Sequence, residues 1–119
     1  MGKHNEFGKL GEQLAVDFLI RNGYQILRRN YRYLKGELDI VAKKDAVLSI
    51  VEVKSRSSDF IETIAETVNQ KKIKLIVATA DAFVTENNRE EEVRFDIITI
   101  LKKGTEYELE HIEDAFYHF

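Results

Sequence analysis

Acidic side chains stand inside two strongly apolar strand patterns, Gly36-Glu37-Leu38-Asp39-Ile40-Val41 and Ile50-Val51-Glu52-Val53-Lys54. A strand interior rarely holds carboxylates without a use for their charge. Strand alternation puts Leu38, Ile40 and Ala42 on one face of the first run and Glu37, Asp39 and Val41 on the other. The second run splits into Val47, Ser49, Val51 and Val53 against Leu48, Ile50, Glu52 and Lys54. With Lys44-Asp45-Ala46 as a turn between them, the two runs predict an antiparallel hairpin.

A two-residue loop at Asp45-Ala46 pairs Lys44 with Val47, Ile40 with Val51, Asp39 with Glu52 and Glu37 with Lys54, keeping the apolar face apolar throughout. A one-residue slip sets Glu52 against Leu38. In the preferred register two carboxylates face each other with Cβ atoms roughly 4.5 to 5.5 Å apart, which costs stability unless a proton or a cation lies between them. Asp and Glu oxygens are the hard ligands that Mg²⁺ and Mn²⁺ favour, so the hairpin has the chemistry of a partial magnesium cage. The competing reading is a solvated salt-bridge network on an exposed sheet face. Val41, Ile50 and Leu48 share that face, which suggests a covered sheet ending in a cleft.

Around the hairpin, residues 6 to 21 have helical spacing, with Asn5 as the expected cap and Phe7, Leu10, Leu14, Phe18 and Leu19 as the expected core. Glu12 lies at the edge of that stripe, where it could reach a cleft or face water. Asn22-Gly23 ends the helix, Tyr24 to Tyr33 reads as a strand, and packing is the expected role of Tyr31 and Tyr33. Beyond the hairpin, Ile61 to Val68 suggests a short helical turn and Asn69 the cap of a long helix carrying Ile73, Ile76, Val77, Ala80, Phe83 and Val84. Val93 to Leu101 and Tyr107 to Ile112 read as an antiparallel strand pair around Gly104.

With 119 residues, 44% of them hydrophobic, the chain is expected to form one domain over residues 1–119. It has no cysteine, so neither disulfides nor thiolate zinc sites are available. The apolar runs are too short to span a membrane, and Met1-Gly2-Lys3-His4 leads into a polar helix rather than a signal core, so a cytoplasmic protein is expected. His4, His111 and His118 have no metal-ligating spacing. Nucleophilic-triad and dinucleotide motifs are absent. The net charge of −3 opposes general nucleic-acid binding, yet Arg28, Arg29, Arg32 and Lys35 precede the hairpin, Lys54 and Arg56 leave it, and Lys71, Lys72 and Lys74 open the later helix, a basic rim around an acidic centre. Solvated surface is the other reading of those side chains.

Gly36-Glu37-Leu38-Asp39-Ile40-Val41 followed by Val51-Glu52-Val53-Lys54-Ser55-Arg56 resembles the site of the PD-(D/E)xK, or restriction-endonuclease-like, nucleases. Within that superfamily the chain is most similar to the YraN-like family, through Gly11-Glu12, Gly23-Tyr24-Gln25-Ile26-Leu27, Arg29-Asn30-Tyr31-Arg32 and Arg94-Phe95-Asp96-Ile97 as well. Leu38 stands where the superfamily name places a proline.

The resemblance implies an α/β, restriction-endonuclease-like fold, a mixed central sheet flanked by helices in the order αβββαββ. It also implies that Asp39, Glu52 and Glu12, with the carbonyl of Val53, would hold Mg²⁺ or Mn²⁺, and that Lys54 would position or activate the attacking water. Arg29, Arg32, Arg56 and Lys71 are the expected nucleic-acid contacts, Lys71 because it opens a helix whose first amides form an anion site. The implied activity is phosphodiester hydrolysis in DNA by an endonuclease or resolvase-like enzyme, with DNA structure or ends favoured over a base sequence by the small size and the lack of a specificity domain. Enzymes that cut both strands of branched DNA often work as symmetric dimers, which leaves room for a homodimer. The alternative is a non-catalytic nucleic-acid or protein-interaction module on the same fold.

Overall fold

Helix α1 covers Lys3–Arg21 in the computed structural model, which describes residues 3–57 and 69–116. Strands β1 (Gln25–Tyr33), β2 (Gly36–Lys44) and β3 (Val47–Ser57) follow, then helix α2 (Gln70–Glu86), β4 (Glu92–Lys103) and β5 (Glu106–Ile112). The expected turn over residues 61–68 lies outside the described residues. α1 is already helical at Lys3, so Asn5 does not cap it. Asn69 does cap α2, its Oδ1 accepting the backbone N–H of Lys72 at 2.9 Å.

The strands form one mixed sheet in the order β1-β2-β3-β4-β5. Only the β3–β4 pair is parallel, and it joins two antiparallel units across the connection that contains α2. The helices cover opposite faces. Ala15, Val16 and Leu19 of α1 pack on Ile40, Ala42, Val51, Ile98 and Ile100, while Ile76, Ala80 and Phe83 of α2 pack on Val41, Leu48, Ile50, Phe95 and Ile97. The α1 stripe is centred on Ala15 and Leu19 instead of Leu10, which is 40% exposed. Tyr31 packs edge-on against Phe83 and its hydroxyl donates to Glu86. Tyr33, in contrast to expectation, is substantially exposed.

Two glycines bring the helices close to the sheet. A Cβ on Gly11 of α1 would lie 2.0 Å from Ser55 Oγ, and a Cβ on Gly36 of β2 would lie 1.8 Å from Thr79 Oγ1 of α2. Both hairpins on this side of the sheet close with two-residue loops: Lys44 pairs with Val47 around Asp45-Ala46, and Tyr33 with Gly36 around Leu34-Lys35. The first loop residue has left-handed φ in each case, +53° for Asp45 and +54° for Leu34. Aspartate tolerates that conformation, whereas for leucine it costs roughly 1 kcal/mol.

Candidate functional site

The hairpin register is the expected one from Lys44↔Val47 to Ile40↔Val51, and there the β2–β3 ladder ends. β3 continues to Ser57 beside β4, while β2 continues to Gly36 beside β1. The two strands therefore fork, and Asp39 and Glu52 are not backbone partners as the extended register would make them. Asp39 fills the fork. Its Oδ2 accepts the backbone N–H of Val53 at 2.8 Å, so a side chain replaces the carbonyl a continuing strand would have offered.

Alternation also breaks at this point. Ile40 and Ala42 face α1, but Leu38 packs with Val41 and Tyr31 on the α2 side, against the expectation that Leu38, Ile40 and Ala42 share a face. Asn30, in the β1 segment facing Asp39, has φ of +52°. The break in alternation removes Asp39 from the strict in-out pattern and leaves it in a cleft that α1 also lines. Burial first, then the charges of Glu52, Glu12 and Glu37, push its carboxyl up to about 7.

Glu52 faces α2, where its Oε1 lies 2.8 Å from Lys72 Nζ. Burial alone would lower the pKa of Lys72, but the hydrogen bond and charge of Glu52 outweigh it and hold the ammonium above its ordinary value. Lys54 is shifted the other way, by burial and by the adjacent Lys72. On the other side, Glu12 Oε1 accepts from Arg29 Nη2 at 3.2 Å and from Asn30 Nδ2 at 3.0 Å, and Arg29 Nη1 donates to Gln13. Glu12 is thus turned into the cleft.

That cleft has a volume of about 890 Å³. Glu12 and Gln13 of α1, Asp39 in the fork and Val53 and Lys54 of β3 line it, with Arg29, Arg32 and Arg56 at its rim. Arg32 Nε pairs with Glu37 at 2.7 Å and Arg56 donates to the Ser55 carbonyl. Lys71 is exposed on the first turn of α2 and does not line the cleft.

The sequence profile of the Uncharacterised protein family UPF0102 matches residues 11–100, which include all of these side chains. The chain belongs to the UPF0102 family. It is 46% identical to a UPF0102 protein of Flavobacterium psychrophilum over 119 residues, the whole of both chains. It is also 46% identical over 117 residues to one from Parabacteroides distasonis, spanning 98% of this chain and 97% of that one. A Flavobacterium johnsoniae relative is 46% identical across the full length of both.

In this UPF0102 site Lys72, expected only as part of a basic rim in which Lys71 is the preferred contact, is the lysine that meets Glu52. The signal was present, because Lys72, Ile76 and Ala80 recur at i, i+4 and i+8, and extending the buried stripe one turn upstream points Lys72 at the sheet. A second polar cluster lies within the sheet of this UPF0102 chain. Asp96, with no solvent exposure, accepts from Ser49 Oγ at 2.6 Å, Arg94 Nη2 at 2.8 Å and the Asp114 backbone N–H at 3.0 Å, and His111 Nε2 lies 2.8 Å away. Burial opposes its ionisation, but these hydrogen bonds prevail and hold the carboxyl at about 2. Ser49 is fully buried, so this serine, aspartate and histidine form a structural network with no access for a substrate. No described helix is long and apolar enough to cross a membrane.

Proposed function

We propose that this chain is a metal-dependent nuclease that hydrolyses phosphodiester bonds in DNA, with a restriction-endonuclease-like arrangement of its mixed sheet. The observation that carries this reading is the fork, where half-buried Asp39 lines a cleft with Glu12 and Glu37 under a rim of arginines, while Glu52, which does not line that cleft, adds its charge from the side of α2. A structural salt-bridge network would place each acid beside a cation. Here Asp39, half-buried, feels the charges of three other acids, and the one hydrogen bond given to its carboxylate among the described residues comes from backbone and not from a cation.

The donor set suits a hard divalent cation in its chemistry, since all candidates are oxygen ligands and the crowding around Asp39 is relieved by positive charge. Asp39 and Glu52, with Glu12 and the Val53 carbonyl, are the groups that would hold Mg²⁺ or Mn²⁺. Among the described residues no three carboxylates already converge on one point, because Lys72 engages Glu52 and Arg29 engages Glu12. A divalent cation held there would supply a water of lowered pKa and charge stabilisation at the scissile phosphate. Lys54, with its proton loosened by burial and by Lys72, lines the same cleft and would orient the attacking water. Arg29, Arg32 and Arg56 place the backbone phosphates along the rim.

A non-catalytic module is the second reading, favoured by the chain's own cations on Glu52 and Glu12. Purified protein and Asp39→Asn, incubated with labelled single-stranded, duplex, flap and four-way-junction DNA and an RNA under Mg²⁺, Mn²⁺ or EDTA, separate the two. Metal-dependent cutting of DNA that disappears in the variant is expected. Cutting of equal rate by both proteins, or no cutting of any substrate by folded protein, overturns the nuclease reading.

A further inference from the structure

The loop between β1 and β2 places its one large apolar side chain where it serves no packing purpose. Leu34 is 87% exposed, and its backbone holds the left-handed φ of +54° that glycine or asparagine adopts with less strain. Single exposed leucines are ordinary, but a leucine both exposed and on strained backbone is doubly unfavourable to the fold. The equivalent position in the β2–β3 hairpin carries Asp45, the kind of residue such a turn favours.

The loop is seated at its base and adjoins the cleft. Gly36 at its base is buried against Thr79 of α2, and Arg32 and Glu37, one pair behind the loop, line the cleft. Two residues of strand carry the tip roughly 7 Å beyond that pair. Tyr33, 42% exposed, flanks the leucine, Lys35 is exposed beside it, and the Arg32 side chain behind it is 78% exposed. An apolar point backed by cations matches a known chemistry of duplex deformation, in which a Leu, Ile, Met or Phe side chain enters between base steps while Lys and Arg hold the flanking phosphates.

We propose that the β1–β2 loop is a wedge for duplex DNA: Leu34 enters the base stack, Arg32 and Lys35 hold the phosphates on either side, and the opened strand is delivered to the cleft beside it. This rests on the nuclease reading of the cleft and names the feature of the substrate it selects, a base step that unstacks easily, as at a nick, fork or junction.

The test uses duplexes and four-way junctions carrying 2-aminopurine at one step, titrated in EDTA so that no strand is cut, with wild type, Leu34→Gly, Leu34→Phe and Asp39→Asn. Wild type, Leu34→Phe and Asp39→Asn should raise the fluorescence severalfold. Leu34→Gly, which suits the same turn, should lose that rise and bind roughly tenfold more weakly. An unchanged fluorescence rise and affinity in Leu34→Gly overturns the wedge, as does binding by wild type without any rise or no binding of duplex at all. The two readings fail separately. Base opening without metal-dependent cleavage sinks the nuclease and keeps the wedge, and cleavage with no effect at Leu34 does the reverse.

Discussion

The carboxylate of Asp39 accepts the backbone N–H of Val53 across the gap where β2 and β3 part, and this hydrogen bond holds a half-buried acid in the field of three others. Burial and Glu52 push its pKa up to about 7 from an ordinary 3.8. The folded chain therefore holds a proton that the unfolded chain releases above about pH 4, so stability falls as pH rises from about 4 to about 7. Asp39→Asn keeps an acceptor for Val53 and removes the ionisation. In EDTA the variant should be more stable than wild type at pH 8, by on the order of 2 kcal/mol, with the advantage vanishing near pH 4. Thermal melts at pH 4, 6 and 8 check this, and a difference that does not vary with pH contradicts it.

Lys72 stands on Glu52 as an internal counter-cation, and its removal should act in opposite directions with and without metal. Lys72→Met leaves Glu52 unpaired beside Asp39, which should lower stability in EDTA by about 1 kcal/mol, given that the lysine is one-third exposed. The same change takes a positive charge away from Glu52 and Asp39, so Mg²⁺ should bind roughly threefold to tenfold more tightly. The rise in melting temperature across a Mg²⁺ titration reads both effects. A smaller metal response in Lys72→Met than in wild type would show that Lys72 supports the metal instead of competing with it.

The parts of this molecule legible in the sequence are those set by local chemistry. Alternation and the Asp45-Ala46 loop are enough for the register from Lys44↔Val47 to Ile40↔Val51, and Asn69 caps α2 as its side chain allows. The fork was not legible, since the ladder ends where β2 stays with β1 and β3 stays with β4, a competition between non-adjacent segments. Leu38 and Ile40 fall on opposite faces of the sheet beside Asn30, whose left-handed φ lies on the neighbouring strand, and the alternating pattern within β2 gives no sign of the break. Glu12 reaches the cleft because Gly11 lets α1 settle on Ser55, a contact 44 positions away in the chain. Lys71 and Lys72 differ by one residue and so by about 100° around the helix, enough to send one to solvent and the other to Glu52.

Asp96 should govern the acid limb of stability. Its carboxyl, ordinarily near 3.8, is held at about 2, so the stability it supplies is complete above about pH 4 and is lost as pH falls through 2. Asp96→Asn leaves Arg94 and His111 facing a neutral amide and should cost about 3 kcal/mol at pH 7. The variant should also lose the slope of stability against pH between 4 and 2. Denaturant unfolding across that range tests it, and a variant whose acid slope equals that of wild type would falsify the assignment.

Gly36 and Gly11 seat the two helices, but with unequal tolerance for a side chain. A Cβ on Gly11 meets the Ser55 hydroxyl at 2.0 Å and the Ser55 Cβ at 3.3 Å, and rotation of the hydroxyl relieves most of the clash. A Cβ on Gly36 meets Thr79 Oγ1 at 1.8 Å, Thr79 Cβ at 3.1 Å and the Leu75 carbonyl at 3.3 Å, and that Thr79 hydroxyl is held in place by its hydrogen bond to the same carbonyl. Backbone and a β-branched side chain cannot both withdraw without shifting α2. Gly36→Ala should therefore cost about 2 to 3 kcal/mol and Gly11→Ala about 1 kcal/mol or less. Because α2 carries Lys72, Gly36→Ala should also weaken the contact with Glu52 and alter the Mg²⁺ response, while Gly11→Ala with Ser55→Ala should melt close to wild type. Equal losses for the two single variants would place the tighter seat elsewhere.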